Sequence, residues 1–136
     1  MRVLFIGNQG NTGYRIVQWL IQYGVDATLL IPDHSRYERT LPEWEDPSLK
    51  GNYPQWIHTY RENRYPYLFL NSSLKATARD YDVVMVTGFH VLPVMKLNKP
   101  LVFLPVGGDL SQMPFWTGKL VKELHSWLYR RRIKSL

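Results

Sequence analysis

The sequence predicts an α/β domain in which helices cover both faces of a parallel sheet. Short apolar runs of strand length recur along the chain, and stretches with a helical spacing of apolar residues lie between them. A glycine-rich turn joins the first apolar run to the first helix, which is the opening unit of a doubly wound fold. With right-handed crossovers, we expect a three-layer α/β/α arrangement of at least four strands in the order 3-2-1-4.

The opening unit occupies residues 2–31 and consists of a strand, a glycine turn, a helix and a second strand. The apolar runs Val3 to Ile6 and Ala27 to Ile31 are the two predicted strands. The turn after the first strand carries glycines three residues apart, at Gly7, Gly10 and Gly13. Because ligands bind at the carboxyl edge of such sheets, this turn is where we first expect a ligand site.

The first helix is predicted over residues 12–23, where apolar side chains fall three and four residues apart. Asn11 or Thr12 is the expected N-cap, because either side-chain oxygen can accept a hydrogen bond from a free amide of the first turn. Gly24 follows the last apolar position and is expected to end the helix in the left-handed conformation.

Residues 32–65 interrupt this regular alternation. Four prolines break any long element, and the segment is also rich in tryptophan and tyrosine. We expect an irregular insertion that folds back onto the domain and contains at most short helical turns. Its aromatic rings either form a platform for carbohydrate or lipid or cover the edge of the domain's own sheet.

The second half of the chain returns to regular elements. A helical period over 67–81 precedes a predicted third strand, and a short helix from about Val91 precedes a fourth. A final helix is predicted near the C-terminus. The two strands and the last helix cover residues 82–86, 100–104 and 114–133.

Composition narrows the possible functions. The chain has 136 residues, which favours one domain over 1–136, and it has no cysteine, which excludes thiolate catalysis and cysteine-bound zinc. No pair of its four histidines has metal-ligand spacing, so we expect no metal site. We see neither a signal peptide nor an apolar run of membrane-spanning length, and we expect a cytoplasmic protein.

The net charge of +6 is concentrated near the C-terminus. Residues 119–134 contain six basic side chains and one acidic one, Glu123. This basic helix is either a solvated helix end or a contact with an anionic membrane surface, which its tryptophans would also favour. No nucleic-acid-binding signature accompanies the charge, so we expect no nucleic acid as a partner.

The glycine turn is the first candidate ligand site. Its amides and the positive end of the following helix suit an anionic ligand, and its polar residues suit a hydroxyl-rich one. The predicted contacts are Gly7, Asn8, Gly10, Asn11, Thr12 and Tyr14. The glycines alternatively serve only close packing of helix on strand. The spacing GxxGxxG also matches extended short-chain dehydrogenases, so an NAD(P)-dependent oxidoreductase or epimerase stays an alternative, although no tyrosine here has a lysine four residues later, as their catalytic pair requires. A stand-alone domain that binds a nucleotide or sugar is a further alternative.

Two further loops at predicted strand ends carry candidate residues. His90 follows Gly88 and Phe89 just beyond the third predicted strand, and it is either an acid–base group or a cap for the next helix. After the fourth predicted strand, Asp109 is either a hydrogen-bond acceptor for sugar hydroxyls or a turn cap. The glycines beside it, Gly107 and Gly108, permit close approach of a ligand.

In order and spacing, these motifs resemble the N-terminal domain of retaining, two-domain glycosyltransferases of the GT-B class, group-4 family. The carriers are the Met1 to Ile31 opening with Gly7-Asn8 and Asn11-x-x-Tyr14, the patch Pro42-Glu43-Trp44-Glu45-Asp46, the stretch Asp82-Val83-Val84-Met85-Val86-Thr87-Gly88-Phe89-His90, and Gly107-Gly108-Asp109-Leu110. The long aromatic insertion departs from the pattern of that family and leaves the type of acceptor open.

The resemblance implies a Rossmann-like domain that binds the sugar acceptor and faces a second domain across a cleft. The second domain would bind the nucleotide-sugar donor, so this chain would hold no cofactor of its own and would not transfer sugar alone. By the same resemblance, the Gly7–Tyr14 loop would lie near the donor phosphates, His90 would contact the transferred sugar, and Asp109 would lie in the loop of a Gly-Asp pair. A basic N-terminal domain is common in members of that family that act at the membrane surface, which fits the arginines near the C-terminus of this chain.

Overall fold

A computed structural model describes residues 1–33, 41–61 and 72–106, together with residues 127, 130 and 131. Within these ranges the chain forms one parallel sheet of five strands in the order β3-β2-β1-β4-β5. The strands are β1 Arg2–Ile6, β2 Asp26–Pro32, β3 Ile57–Tyr60, β4 Val83–Thr87 and β5 Leu101–Leu104. The helices are α1 Thr12–Gln22, α2 Ser72–Ala78 and α3 Val91–Val94. The predicted doubly wound α/β fold is confirmed.

The predicted strand order 3-2-1-4 is also confirmed, but a different segment takes the third place. β3 lies within residues 32–65, where no strand was expected, and it pairs with β2 at the edge of the sheet. The strand predicted at 82–86 is therefore the fourth, and it pairs with β1. The expectation of an entirely irregular insertion was wrong at β3.

The central strands are buried on both faces because their apolar side chains contribute to two separate cores. Leu4 and Ile6 of β1 pack on one face, with α2 and α3, whereas Val3 and Phe5 pack on the other face, with α1. This alternation follows from the two-residue period of a strand. It explains why the sequence of β1 is apolar without interruption, as is typical of parallel strands covered on both sides.

Helix α1 begins and ends through specific local contacts. Asn11 precedes the helix in a left-handed conformation (φ 57°), and its side chain makes no capping hydrogen bond. Asn11 thus occupies the predicted N-cap position, but the side-chain cap expected of Asn11 or Thr12 was wrong, because the Asn8 side chain accepts the 2.7 Å bond from the amide of Tyr14 instead. At the other end, Gly24 has the predicted left-handed conformation (φ 77°), and its amide bonds to the Ile21 carbonyl.

The segment before β3 contains the predicted short helical turns, at Pro42–Trp44 and Pro47–Leu49. Its aromatic side chains serve mainly as cover for the α1 face of the sheet. Trp56 stacks on Tyr14 with ring centroids 5.6 Å apart, and Tyr53 packs against the same core. Trp44, in contrast, is 65% exposed.

The later elements follow the predictions where they are described. Helix α2 occupies part of the predicted 67–81 helix, and Pro93 lies in the first turn of α3, where its missing amide is tolerated. The predicted helix at 114–133 falls outside the described residues except at three helical positions, where the guanidinium of Arg131 lies 4.9 Å from the ring centroid of Trp127. Among the residues described, none of the helices combines the length and apolarity needed to cross a bilayer.

Candidate ligand site at the carboxyl edge of the sheet

The loops after β1 and β4 meet at the carboxyl edge of the sheet. Gly7 has a positive φ of 89°, and a β-carbon built there would lie 2.9 Å from the Thr87 hydroxyl oxygen and 3.0 Å from Cδ2 of His90. A side chain at Gly7 would therefore push the β4 loop away. The two loops that the sequence singled out independently are therefore in direct contact, at the edge of the sheet where open α/β folds bind ligands.

The other two glycines of the turn have different roles. A β-carbon at Gly13 would collide with the Gly7 carbonyl and lie 3.0 Å from side-chain atoms of Phe5 and Leu29. Gly13 is therefore required for close packing of α1 on the sheet. Gly10 has φ 57° and is exposed, and none of the described residues has an atom within 4 Å of the position of a β-carbon there. The space above Gly10 is open to a ligand.

The two asparagines of the turn face inward. Asn8 and Asn11 are 3% and 2% exposed, and Asn8 Nδ2 donates a 2.7 Å hydrogen bond to Asn11 Oδ1. The amide of Asn11 also bonds to the Asn8 carbonyl at 3.0 Å. These contacts shape the turn from within. Direct contact of either side chain with a ligand stays a prediction.

The remaining predicted residues of the turn flank it. Thr12 is partly exposed, and its amide bonds to the Gln9 carbonyl. Tyr14 is 7% exposed, and burial raises the pKa of its phenol, with a further contribution from the carboxylates of Asp46 and Glu45. Acidic groups of the segment before β3 therefore lie close to the start of α1.

His90 is held by a residue that the sequence did not single out. Its Nδ1 lies 3.2 Å from the Tyr60 hydroxyl, and the two rings meet edge to face with centroids 6.3 Å apart. Tyr60 is the last residue of β3 and is buried, whereas His90 is partly exposed. Desolvation lowers the pKa of His90 to about 4, so the imidazole is neutral at pH 7.

Thr87, the last residue of β4, carries an unusual polar group for a buried position. Its side chain is 1% exposed, and its hydroxyl oxygen has no hydrogen-bond partner among the described residues. An unpaired buried hydroxyl costs free energy unless another group satisfies it. It lies beside Gly7, at the junction of the β1 and β4 loops.

The other predicted site residues are described only in part. Gly88 is buried with φ 66° and begins the short 3-10 helix Gly88–His90. Only the backbone of Phe89 is described. Gly107, Gly108 and Asp109 lie outside the described residues, so their placement stays a prediction. Over the described ranges, no three His, Cys, Asp or Glu residues form a group that could hold a metal ion.

Two charged residues that were not predicted as site residues lie at the same edge. Asp33 directly follows β2 and Arg61 directly follows β3, and both are exposed. The amide of Asp33 bonds to the Tyr60 carbonyl at 3.0 Å, which ties the two strand ends together. The position of Asp33 immediately after an apolar strand was the signal that could have identified it.

Comparison with known proteins supports the fold class. No family model matches this chain, and no curated protein matches it. Among solved structures, it is similar to a short-chain dehydrogenase/reductase (wide type) from Veillonella parvula DSM 2008, whose structure is a complex with NADP. The TM-score is 0.51 at 13% identity, over 98% of this chain. The chain spans only 63% of that structure, so the likeness concerns the Rossmann-like fold.

Proposed function

We propose that this domain binds a nucleotide through the Gly7–Tyr14 loop, and that NAD(P) is the ligand class. The observation that carries the proposal is the open space above Gly10, at the start of α1 and beside the junction of the β1 and β4 loops. The positive end of an α-helix favours a diphosphate at this position. A residue without a side chain lets the phosphates approach the backbone.

The end of β2 supports a dinucleotide in particular. In dinucleotide-binding domains an acidic residue, about 20 residues beyond the glycine loop, accepts hydrogen bonds from a ribose. Asp33 occupies the corresponding position at the end of β2, and it is exposed. The structurally similar dehydrogenase is a complex with NADP, which agrees with this ligand class. Because the chain lacks a Tyr-x-x-x-Lys pair, the proposal concerns binding and assigns no hydride-transfer step.

Gly10→Val tests the loop directly. A valine side chain meets no described atom at this position, but a β-branched residue disfavours positive φ. The valine side chain also covers the backbone that the ligand would approach. In a thermal-shift titration with NADH and NADPH, we expect the wild type to gain stability with ligand and the variant to lose at least tenfold in affinity.

Gly24→Val is the matched control, because Gly24 also has positive φ and empty surroundings but lies at the opposite end of α1. It should lower stability by a similar amount and leave affinity unchanged. Equal affinity of wild type and Gly10→Val for the nucleotide would contradict the proposed site.

A glycosyltransferase function is the second candidate, and the acidic flank of the loop favours it. Glu45 pairs with Arg15 at 2.9 Å, and the pKa of Tyr14 is raised by burial and then by Asp46 and Glu45, so both carboxylates lie near the start of α1. Carboxylates accept hydrogen bonds from sugar hydroxyls. In this function the domain is the acceptor-side half of a two-domain enzyme, as the sequence resemblance implies.

The same titration separates the two candidates when UDP-sugars and GDP-sugars are added as further arms. Micromolar binding of NADH or NADPH supports the dinucleotide function, because one domain then holds the whole cofactor. No response to any dinucleotide or nucleotide sugar agrees with the glycosyltransferase function, because an acceptor-side domain does not bind the donor by itself. Binding of a nucleotide sugar to this domain alone would instead indicate a stand-alone nucleotide- or sugar-binding domain. A sugar-transfer assay on a longer form of the chain then tests the glycosyltransferase function.

A further inference from the structure

Tyr60 connects the edge strand β3 to the candidate site. Its ring lies in the core cluster under α2 and α3, and its hydroxyl reaches Nδ1 of His90 at 3.2 Å. Tyr60 ends β3 at one edge of the sheet, whereas His90 follows β4, and β2 and β1 lie between these two strands. The contact therefore spans the carboxyl ends of several strands.

The chemistry of the two groups sets the direction of this hydrogen bond. A phenol is a stronger acid than a neutral imidazole N–H, and an imidazole nitrogen is a good acceptor, which favours the arrangement in which the Tyr60 hydroxyl donates to Nδ1. Since burial keeps His90 neutral at pH 7, its single ring proton must then be on Nε2. The neighbouring ring atom Cδ2 faces Gly7 of the ligand-binding loop.

We propose that Tyr60 is a positioning residue that fixes His90 as its Nε2–H tautomer, so that His90 offers one N–H donor to an oxygen atom of the bound nucleotide or sugar. The ligand contact rests on the proposed function, whereas the tautomer is a property of the free domain. The neutral N–H recognises phosphate or hydroxyl oxygen without a change in charge. Binding through this group is accordingly independent of pH around neutrality.

Tyr81 is a second buried tyrosine, and its hydroxyl has a different kind of partner from that of Tyr60. Tyr81 belongs to the same core cluster, and its hydroxyl donates a 2.8 Å hydrogen bond to the Thr28 hydroxyl. Both partners of that bond are buried, so the bond serves the core alone. Tyr60 instead bonds to a partly exposed residue next to Gly7. Tyr81→Phe is thus a matched control for Tyr60→Phe.

Nitrogen-15 NMR of the histidine rings measures the tautomer directly in the ligand-free domain at pH 7. We expect His90 to be at least 90% Nε2–H in the wild type and in Tyr81→Phe, and to become a mixture of tautomers in Tyr60→Phe. An Nδ1–H or mixed tautomer in the wild type overturns the proposal even if Tyr60→Phe does not fold. An unchanged tautomer in a folded Tyr60→Phe overturns it as well.

Binding is then measured for the same three proteins with the nucleotide that stabilises the wild type most. We expect Tyr60→Phe to bind about tenfold more weakly and Tyr81→Phe to bind as the wild type does. Equal affinity of all three proteins overturns the positioning role. If no nucleotide stabilises the wild type, the proposed function fails, and the tautomer still decides whether Tyr60 orients His90.

Discussion

Thr28 and Thr87 are both buried, but they differ in whether the side-chain hydroxyl has a hydrogen-bond partner among the described residues. Thr28 accepts a hydrogen bond from Tyr81, whereas the Thr87 hydroxyl has no partner in the described part of the chain. Both side chains are buried. Removing the Thr28 hydroxyl therefore leaves the Tyr81 hydroxyl without its acceptor, whereas removing the Thr87 hydroxyl leaves no described group without a partner.

Thr87→Val should therefore be neutral or stabilise the domain by up to about 1 kcal/mol, because valine keeps the shape and removes an unpaired buried hydroxyl. Thr28→Val, the matched substitution, should cost about 1–3 kcal/mol, because it leaves the Tyr81 hydroxyl buried without an acceptor. Urea unfolding of both variants measures these changes. A cost for Thr87→Val as large as that for Thr28→Val would show that the Thr87 hydroxyl is satisfied in the folded domain.

The asparagines of the glycine turn show what residue type alone does not determine. Polar residues after a strand predicted a ligand site, and this reasoning applied equally to Asn8, Asn11 and Thr12. In the structure, the first two satisfy each other and the helix start. The direction of a short amide side chain depends on backbone angles, here the left-handed conformation at Asn11, which the sequence pattern does not reveal.

At the scale of elements, β3 was missed because its signals are weak. The strand is four residues long, and only its first and last residues, Ile57 and Tyr60, are buried. Neither strict alternation nor an apolar run results from that pattern. The other four strands were predicted because each contains an apolar run, and this includes the four-residue strand β5 at the opposite edge of the sheet. In β3, the exposed polar residues His58 and Thr59 interrupt the apolar pattern that would have identified the strand.

Proline substitutions test β3 and its edge position. The carbonyl of Trp56 accepts a 2.8 Å hydrogen bond from the amide of Leu29 in β2, and that of Tyr60 accepts a 3.0 Å bond from the amide of Asp33, just after β2. Alternate residues from 56 to 60 therefore face β2. By this alternation, the amide of His58 faces β2 and that of Thr59 faces away. His58→Pro should therefore cost about 2–3 kcal/mol, and Thr59→Pro about 1 kcal/mol or less, in urea unfolding.

Both side chains are exposed, so little packing is lost in either variant. Because His58 Nε2 also lies 2.9 Å from the Gln55 carbonyl oxygen, the cost of His58→Ala is measured too and subtracted from that of His58→Pro. A larger cost for Thr59→Pro than for His58→Pro would contradict the register of β3. Equal, small costs would show that these residues do not pair with β2 in solution.

At the scale of the whole molecule, the sequence predicted the fold class and the edge of the sheet that carries the candidate site. Apolar runs, glycine positions and the order of elements contain that information, because parallel strands place their following loops at one edge. The Tyr60–His90 contact was not predictable, since it depends on an edge strand that the pattern did not reveal. The closeness of Gly7 to His90 follows from the pairing of β1 with β4, which topology determines.

Burial of His90 makes the stability of the whole domain depend on pH in a defined window. Its pKa is about 4 in the folded domain and about 6.5 in the unfolded chain, so between these values the unfolded chain binds more protons. The contribution of the neutral imidazole is complete above pH 6.5 and is lost as pH falls towards 4. The loss is at most about 3 kcal/mol.

His90→Gln removes this titration, so its free energy of unfolding should fall less steeply than that of the wild type between pH 6.5 and 4. Carboxylates titrate in both proteins, and the difference between the two curves isolates the histidine. His58→Gln, at an exposed position, is the control and should follow the wild type. Parallel curves for wild type and His90→Gln, in urea unfolding at half-unit pH steps, would mean that the pKa of His90 is the same in the folded domain as in the unfolded chain. The ring would then become protonated already below about pH 6.5, and an imidazolium cannot accept a hydrogen bond from Tyr60.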